Sequence, residues 1–261
     1  MKPKTEEFLY FLLYSAEKLM QPTFRNLDSS FESWAYRNGL MRQLGRLEQN
    51  RLIEQDPAAS PNNRLYRLTA QGRLHVLGGR DPQAQWSRYW DGHWRLVLYD
   101  VPSTQNTHRI RLRRYLLDKG FGYLQKSVWI TPDSVEAERK IMAGGETHVG
   151  SLMLMTARPC AGETDEKIVA EAWDFEFINN QYEQYLKILA KRPGGNIRGT
   201  EAGQRLQRWA AAERSAWLAA VQLDPMLPEK ILPKGYLGKK AWQERTSVLP
   251  EIGRKLNNFT L

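Results

Sequence analysis

Apolar positions in the first quarter of the chain recur at two periods, and the change from one to the other is its most informative pattern. Phe8, Leu12 and Leu19 suit an amphipathic helix over Thr5 to Lys18, which Pro22 stops. Ser29 with Glu32 three residues on has the form of a capping box and predicts a helix to about Gln49. In that helix Leu40, Leu44 and Leu47 stand four and three apart and form one apolar stripe, while Arg42 and Arg46, four apart, share another face. Gly39 and Gly45 each weaken it by about 1 kcal/mol relative to Ala, and either marks a break or a place where the backbone comes close to a ligand. Leu52 and Ile53 then begin a strand. Asp56-Pro57 and Ser60-Pro61-Asn62-Asn63 interrupt it, and Leu65, Tyr66 and Leu68 return with Arg64 and Arg67 interleaved, before a helix start near Gly72. Helix, strand, turn, strand and helix in this order predict a winged helix-turn-helix.

Gly78-Gly79-Arg80-Asp81-Pro82 reads as a linker. Beyond it, Trp94 to Val101 predicts a strand and Thr107 to Lys119 a helix with apolar Leu112, Tyr115 and Leu116 and basic Arg109, Arg113 and Arg114. Tyr123-Leu124 and Val128 to Ile130 follow as short strands, Pro132 to Ala143 as a helix and Gly150 to Ala157 as a closing strand. The order β-α-β-β-α-β is that of a ferredoxin-like sandwich. From Asp165 the pattern is helical: Ile178, Tyr182, Tyr185 and Leu189 form one stripe, Leu206, Trp209, Ala210, Trp217 and Val221 a second. Pro193-Gly194-Gly195 separates them. Pro225, Pro228 and Pro233 predict an irregular arm, followed by a last short helix. The fold class expected is α+β in three domains: a winged-helix domain over 1–80, a ferredoxin-like domain over 86–158 and a helical C-terminal domain over 163–261.

Composition agrees with a globular chain: 261 residues, 41% hydrophobic and 26% charged. The net charge of +9 suits a nucleic-acid partner without proving one. The excess is densest between Ala35 and Arg73, where seven arginines stand against three acids. Cys160 is the only cysteine, which excludes an intrachain disulfide and fits a cytoplasmic location. The N-terminus imitates a signal peptide, but Glu6 and Glu7 interrupt its basic start and no small-x-small site follows. No apolar run reaches membrane length, so no membrane partner is expected.

Arginine donates in a fork that fits both phosphates and guanine edges, so the candidate DNA-binding residues are Arg37, Asn38, Arg42 and Arg46 on the helix. Asn63, Arg64 and Arg67 are the candidates on the wing and its return strand, for phosphates or the adjacent minor groove. The competing reading is a helix and hairpin whose arginines merely face water. The four histidines (75, 93, 108 and 148) are scattered without metal spacing, and there is no GxSxG elbow, phosphate-binding glycine loop or HExxH, so no catalytic residue and no cofactor are expected. Trp86, Trp90, Trp94 and Trp129 suit core better than a pocket for an aromatic group. The Tyr182 and Tyr185 stripe leans toward an interface helix over plain core. Lys234, Lys239 and Lys240 suit a solvated basic face better than a site for coenzyme phosphates.

Four segments carry a family likeness. They are RLEQNRLIE with RLYRLTAQGR, WDGHWRLVLYDVP with RIRLRRYLLDKGFGYLQKSVWI behind it, VAEAWDFEFINNQYEQYLKIL, and LDPMLPEKILPKGYLGKKA. Through them the chain resembles the PaaX-like transcriptional regulators, the family of the phenylacetate-operon repressor, nearly end to end. Its central part is also similar to the small ferredoxin-like nuclease subunit of CRISPR adaptation systems. The first resemblance implies a cytoplasmic homodimer on a palindromic double-stranded DNA operator, repressing a catabolic operon and released by a coenzyme A thioester of an aromatic acid. The second implies an alternative, a metal-dependent nuclease, with Asp100 at the end of the first central strand as the metal candidate. Against it, the strand supplies no second carboxylate, and Asp100 before Pro102 suits a turn cap. The chain departs from the family in a poorly marked second helix of the N-terminal motif and in a short connection between its C-terminal helices.

Overall fold

The computed structural model describes residues 5–6, 9, 41–55, 66–100, 106–125, 128–136, 139, 151–194 and 200–257. The chain is α+β and divides into two compact units. One comprises Met1–Asp81, Glu183–Leu218 and Gly238–Leu261, the other Pro82–Tyr182 and Ala219–Leu237. The helical residues after 163 therefore contribute to both units.

In the first unit residues 5, 6 and 9 are helical, and the capping box at Ser29 lies outside the described residues. Helix α1 (Met41–Gln49) leads to an antiparallel pair, β1 (Ile53–Gln55) and β2 (Tyr66–Leu68), then to α2 (Ala70–Val76). Leu47 of the predicted stripe is fully buried and Leu44 half-buried. The end of α1 is set by a Schellman motif: Leu52 N–H donates to Leu47 O (2.9 Å), Arg51 N–H to Glu48 O (2.9 Å), and Arg51 takes a φ of 56°. The second half of α6 (Phe175–Ala190), most of α7 (Thr200–Leu223) and α8 (Gly238–Asn257) complete the unit. The last helix is thus longer than the sequence pattern suggests, and Pro250 lies inside it.

In the second unit Pro82, expected in a linker, opens the short helix α3 (Pro82–Trp86), where a missing N–H costs nothing. Strands β3 (Trp94–Asp100), β4 (Gly122–Gln125), β5 (Val128–Thr131) and β6 (Ser151–Ala157) form one antiparallel sheet in the order β4-β5-β3-β6. Helix α4 (Asn106–Asp118) covers one face, with Leu112 and Leu116 packed on Val97, Tyr99 and Trp129. The second crossover helix, expected from Pro132, starts later: residues 132–135 are bends and irregular backbone, residues 136 and 139 are helical, and the rest of it lies outside the described residues. On the other face α5 (Asp165–Ala172) packs on β4 so closely that a Cβ on Gly122 would stand 2.7 Å from Ala172 Cβ and from the Trp173 ring. Trp94 Nε1 donates to Asp165 (2.8 Å) and Trp173 Nε1 to Gly120 O (3.1 Å), pinning that contact. Trp86, Trp90, Trp94 and Trp129 are all buried, as expected of core.

The proline-rich arm after α7 is held by polar bonds in place of regular structure. The buried carboxylate of Asp224 accepts from Tyr182 Oη (2.6 Å), from Tyr236 Oη and from Met226 N–H (2.8 Å). Asn179 binds the arm twice, donating to Gly235 O (3.3 Å) and accepting from Leu237 N–H (2.9 Å). Arg88 donates to Met226 O and, through Nε, to Asp133 (2.7 Å). Met226 itself has a φ of 49°, a conformation that these bonds enforce.

Tyr182 and Tyr185 correct an expectation. Both are 0% exposed within a single chain, so they are core and not an interface stripe. Each phenol has an internal acceptor, Asp224 for Tyr182 and Glu213 (2.8 Å) for Tyr185, which is why a polar aromatic can occupy the centre of a unit.

Candidate nucleic-acid interface

The N-terminal module presents arginines on two elements. Arg42 and Arg46, one turn apart on α1, are both exposed, opposite in character to buried Leu47. On the hairpin the register sets Glu54 directly across from Arg67, and Arg67 Nε donates to Glu54 Oε1 at 2.7 Å. Both side chains are about half exposed, so the pair is screened and weak, and Arg67 arrives at the surface already partnered. Arg37, Asn38, Asn63 and Arg64 lie outside the described residues, as does the side chain of Asp100. Of the predicted contact set the structure therefore places Arg42, Arg46 and Arg67, all at the surface.

What aims the hairpin relative to α1 is a knot of backbone around Leu52. Thr69 N–H donates to Leu52 O (3.1 Å), and Thr69 Oγ1 donates to Arg51 O (2.6 Å) while accepting from Gly72 N–H (3.0 Å). Thr69 is thus the N-cap of α2 and also the clasp that ties the end of α1 to the end of β2. Gly72 permits it: a Cβ there would stand 1.9 Å from Leu52 O. Sequence reasoning missed both as determinants of geometry. A Thr followed three residues later by Gly at a helix start was their only local signal.

The same unit holds a buried charged cluster. Glu213 Oε1 accepts from both Tyr185 Oη and Arg245 Nε (3.0 Å), and Arg245 stacks over the Trp217 ring at 4.7 Å. Burial pushes the Glu213 carboxyl above its ordinary range, against the pull of Arg245. Burial also raises the Tyr185 phenol. Arg214 reaches Glu6 at 3.2 Å. His75, on α2, is held below its ordinary value, chiefly by burial and also by Arg214, with Glu6 opposing. A sequence signal existed for Glu213: it sits four residues after Trp209 and four before Trp217, on the apolar phase of α7.

Among the described residues no cluster of three or more His, Cys, Asp or Glu side chains is grouped to hold a metal ion, and no helix is long and apolar enough to cross a membrane. Cys160 is exposed.

The sheet order and the helix-covered face of the second unit define a ferredoxin-like domain. Residues 87–169 match the family model described as the PaaX protein central Cas2-like domain. A solved structure, "Uncharacterized protein Rv0674 from Mycobacterium tuberculosis", is similar with a TM-score of 0.53 and 20% identity, over 86% of this chain and 85% of that one. That likeness is one of fold. No curated protein matches the chain.

Proposed function

We propose that the chain is a DNA-binding transcriptional repressor whose winged-helix domain, residues 1–80, docks α1 into the major groove. One observation carries the reading: Arg42 and Arg46 share the exposed face of a helix that leads directly into a clasped two-stranded hairpin. In this reading Arg37, Asn38, Arg42 and Arg46 meet base edges and phosphates, while Asn63, Arg64 and Arg67 meet the backbone or minor groove through the wing. The ferredoxin-like domain (86–158) and helical C-terminal part (163–261) serve assembly and response. The protein acts in the cytoplasm as a homodimer on a palindromic operator, because two-fold protein symmetry requires two half-sites. A coenzyme A thioester of an aromatic acid releases it, and the regulated genes degrade that acid. The PaaX-like central domain supports the regulator class.

Footprinting on the promoter upstream of the chain's own gene tests the reading. Protection of two symmetric half-sites about one helical turn apart, or a multiple of it, is expected. A promoter left unprotected at every protein concentration overturns it. A thermal-shift series with aryl-coenzyme A thioesters tests the effector, since a ligand of the native state raises its stability by RT ln(1 + L/Kd), where L is the free ligand concentration, and so by more as ligand is added.

A further inference from the structure

The two edges of the four-stranded sheet in the second unit, β4 and β6, are built differently. An edge strand offers a row of backbone N–H and C=O groups to any other strand, and proteins guard it by shortness, bulges, charge, proline or cover. β4 is guarded: it is four residues long, its pairing with β5 shifts register between Tyr123 and Gln125, and α5 lies against it at Gly122. β6 is seven residues long, SLMLMTA, with neither proline nor charge, and pairs with β3 in unbroken register from Trp94 opposite Ala157 to Asp100 opposite Ser151. Among the described residues no strand pairs with its outer side. No residue from Leu152 to Ala157 is buried, and Met153 and Met155 are 57% and 46% exposed.

We infer that β6 pairs antiparallel with β6 of a second copy of this chain, joining the two four-stranded sheets into one continuous sheet. The inference builds on the reading of the chain as a homodimer, and names the surface through which the copies meet. The strand's own sequence argues for a second copy as its occupant. A two-fold axis through Leu154, the middle residue, is the placement that pairs all seven residues. Leu154 then stands across from the partner's Leu154, Met153 from the partner's Met155, Leu152 from the partner's Thr156 and Ser151 from the partner's Ala157. No like charges oppose each other, because Arg158 comes only after the strand has ended. Residues opposite each other share a face, so the methionines of both copies collect on one side of the sheet. On that side β3 sets half-buried Leu98 across from Met153 and half-buried Leu96 across from Met155, and the pairing joins these two apolar patches into one. Methionine adapts its shape to such a contact and is enriched in interface cores. An unrelated strand would gain the backbone bonds without this match.

The test is sedimentation equilibrium of the full chain across a concentration series. Three proteins are compared: wild type, Met153→Lys with Met155→Lys, and Met153→Lys with Met155→Glu. Both positions are exposed, so neither variant buries a charge within a single chain. Wild type is expected to be a dimer. In the double lysine variant each introduced ammonium faces another across the axis, and the dimer should weaken roughly a hundredfold. In the mixed variant each ammonium faces a carboxylate, so the dimer should return, with an affinity that falls as KCl is raised. Both variants lose the same methionines and gain two charged residues, so the difference between them separates strand pairing from loss of fold. A double lysine variant that dimerises like wild type overturns the inference and leaves the homodimer reading in place, with the copies meeting elsewhere. A mixed variant as dissociated as the double lysine one also overturns it, since positions 153 and 155 then do not face each other. Wild type that stays monomeric at every concentration overturns the homodimer reading itself.

Discussion

Gly72 meets the carbonyl of Leu52 with no room between them for a side chain: a Cβ on Gly72 would lie 1.9 Å from Leu52 O. The atoms it would strike are backbone, and that backbone is fixed by the Leu52–Leu47 and Thr69–Leu52 bonds. Gly72→Ala should therefore force α2 away from β1, at a cost of about 1–3 kcal/mol as overpacking. Urea unfolding of the full chain measures this. The same variant should lose DNA affinity beyond what its stability explains, because the hairpin is aimed through that contact. A Gly72→Ala protein with unchanged midpoint would show that α2 can shift off the Leu52 carbonyl at little cost.

Arg51 occupies the left-handed position that ends α1, with a φ of 56°. A non-glycine residue there costs about 1 kcal/mol. Arg51→Gly should raise stability by about that amount, read as a higher unfolding midpoint. No gain, or a loss, would mean that the guanidinium makes a compensating contact.

Arg42→Ala should weaken specific operator binding by about 1–3 kcal/mol in a gel-shift titration. Arg67→Ala should weaken it less, because Arg67 is already engaged by Glu54. Glu54→Gln removes that competitor and should tighten binding, most at low salt. Equal losses for Arg42→Ala and Arg67→Ala would contradict this ranking.

The buried Glu213–Arg245 pair invites a three-protein comparison. Glu213→Ala leaves Arg245 buried without its carboxylate, and should cost about 3–5 kcal/mol. Glu213→Leu combined with Arg245→Met keeps the volume and removes both charges, so it should recover most of that loss. A double variant as unstable as the single one would show that Tyr185, which also donates to Glu213, depends on the carboxylate.

His75 gives a pH dependence whose sign follows from its environment. Its folded value is held below the ordinary 6.5 by burial first, so the native state binds this proton less readily than the unfolded chain. The stability it contributes is present above about pH 6.5 and is lost as pH falls through and below that value. Thermal unfolding between about pH 7.5 and 5.5 should show a falling midpoint that flattens in His75→Gln. Parallel curves for the two proteins would assign the acid sensitivity to another group.

Much of the architecture is legible from period alone. The strands of the ferredoxin-like unit lie within a residue or two of where alternation and turn residues place them, and Leu112 and Leu116 pack where the helix pattern says. The hairpin register that pairs Glu54 with Arg67 is not legible in the spacing, because a polar connection between two strands does not fix which residues face each other. Tyr182 and Tyr185 show the limit: a stripe of apolar and phenolic residues reads the same whether it faces a partner or the protein's own core. The difference is made by Asp224 and Glu213, distant in sequence, which supply the buried acceptors.

By itself the sequence determined most of the described elements, their order and the residues able to offer positive charge to an anion, because period, turn chemistry and side-chain type are local properties. Tertiary structure alone decided that Thr69 clasps Arg51, that Gly72 must lack a side chain, and that Arg67 is paired while Arg42 and Arg46 stay exposed. Those outcomes depend on which backbone and which carboxylate come within a few ångströms across a turn or between helices. Contact of that kind is a property of the folded chain in space, and no spacing along it encodes the distance.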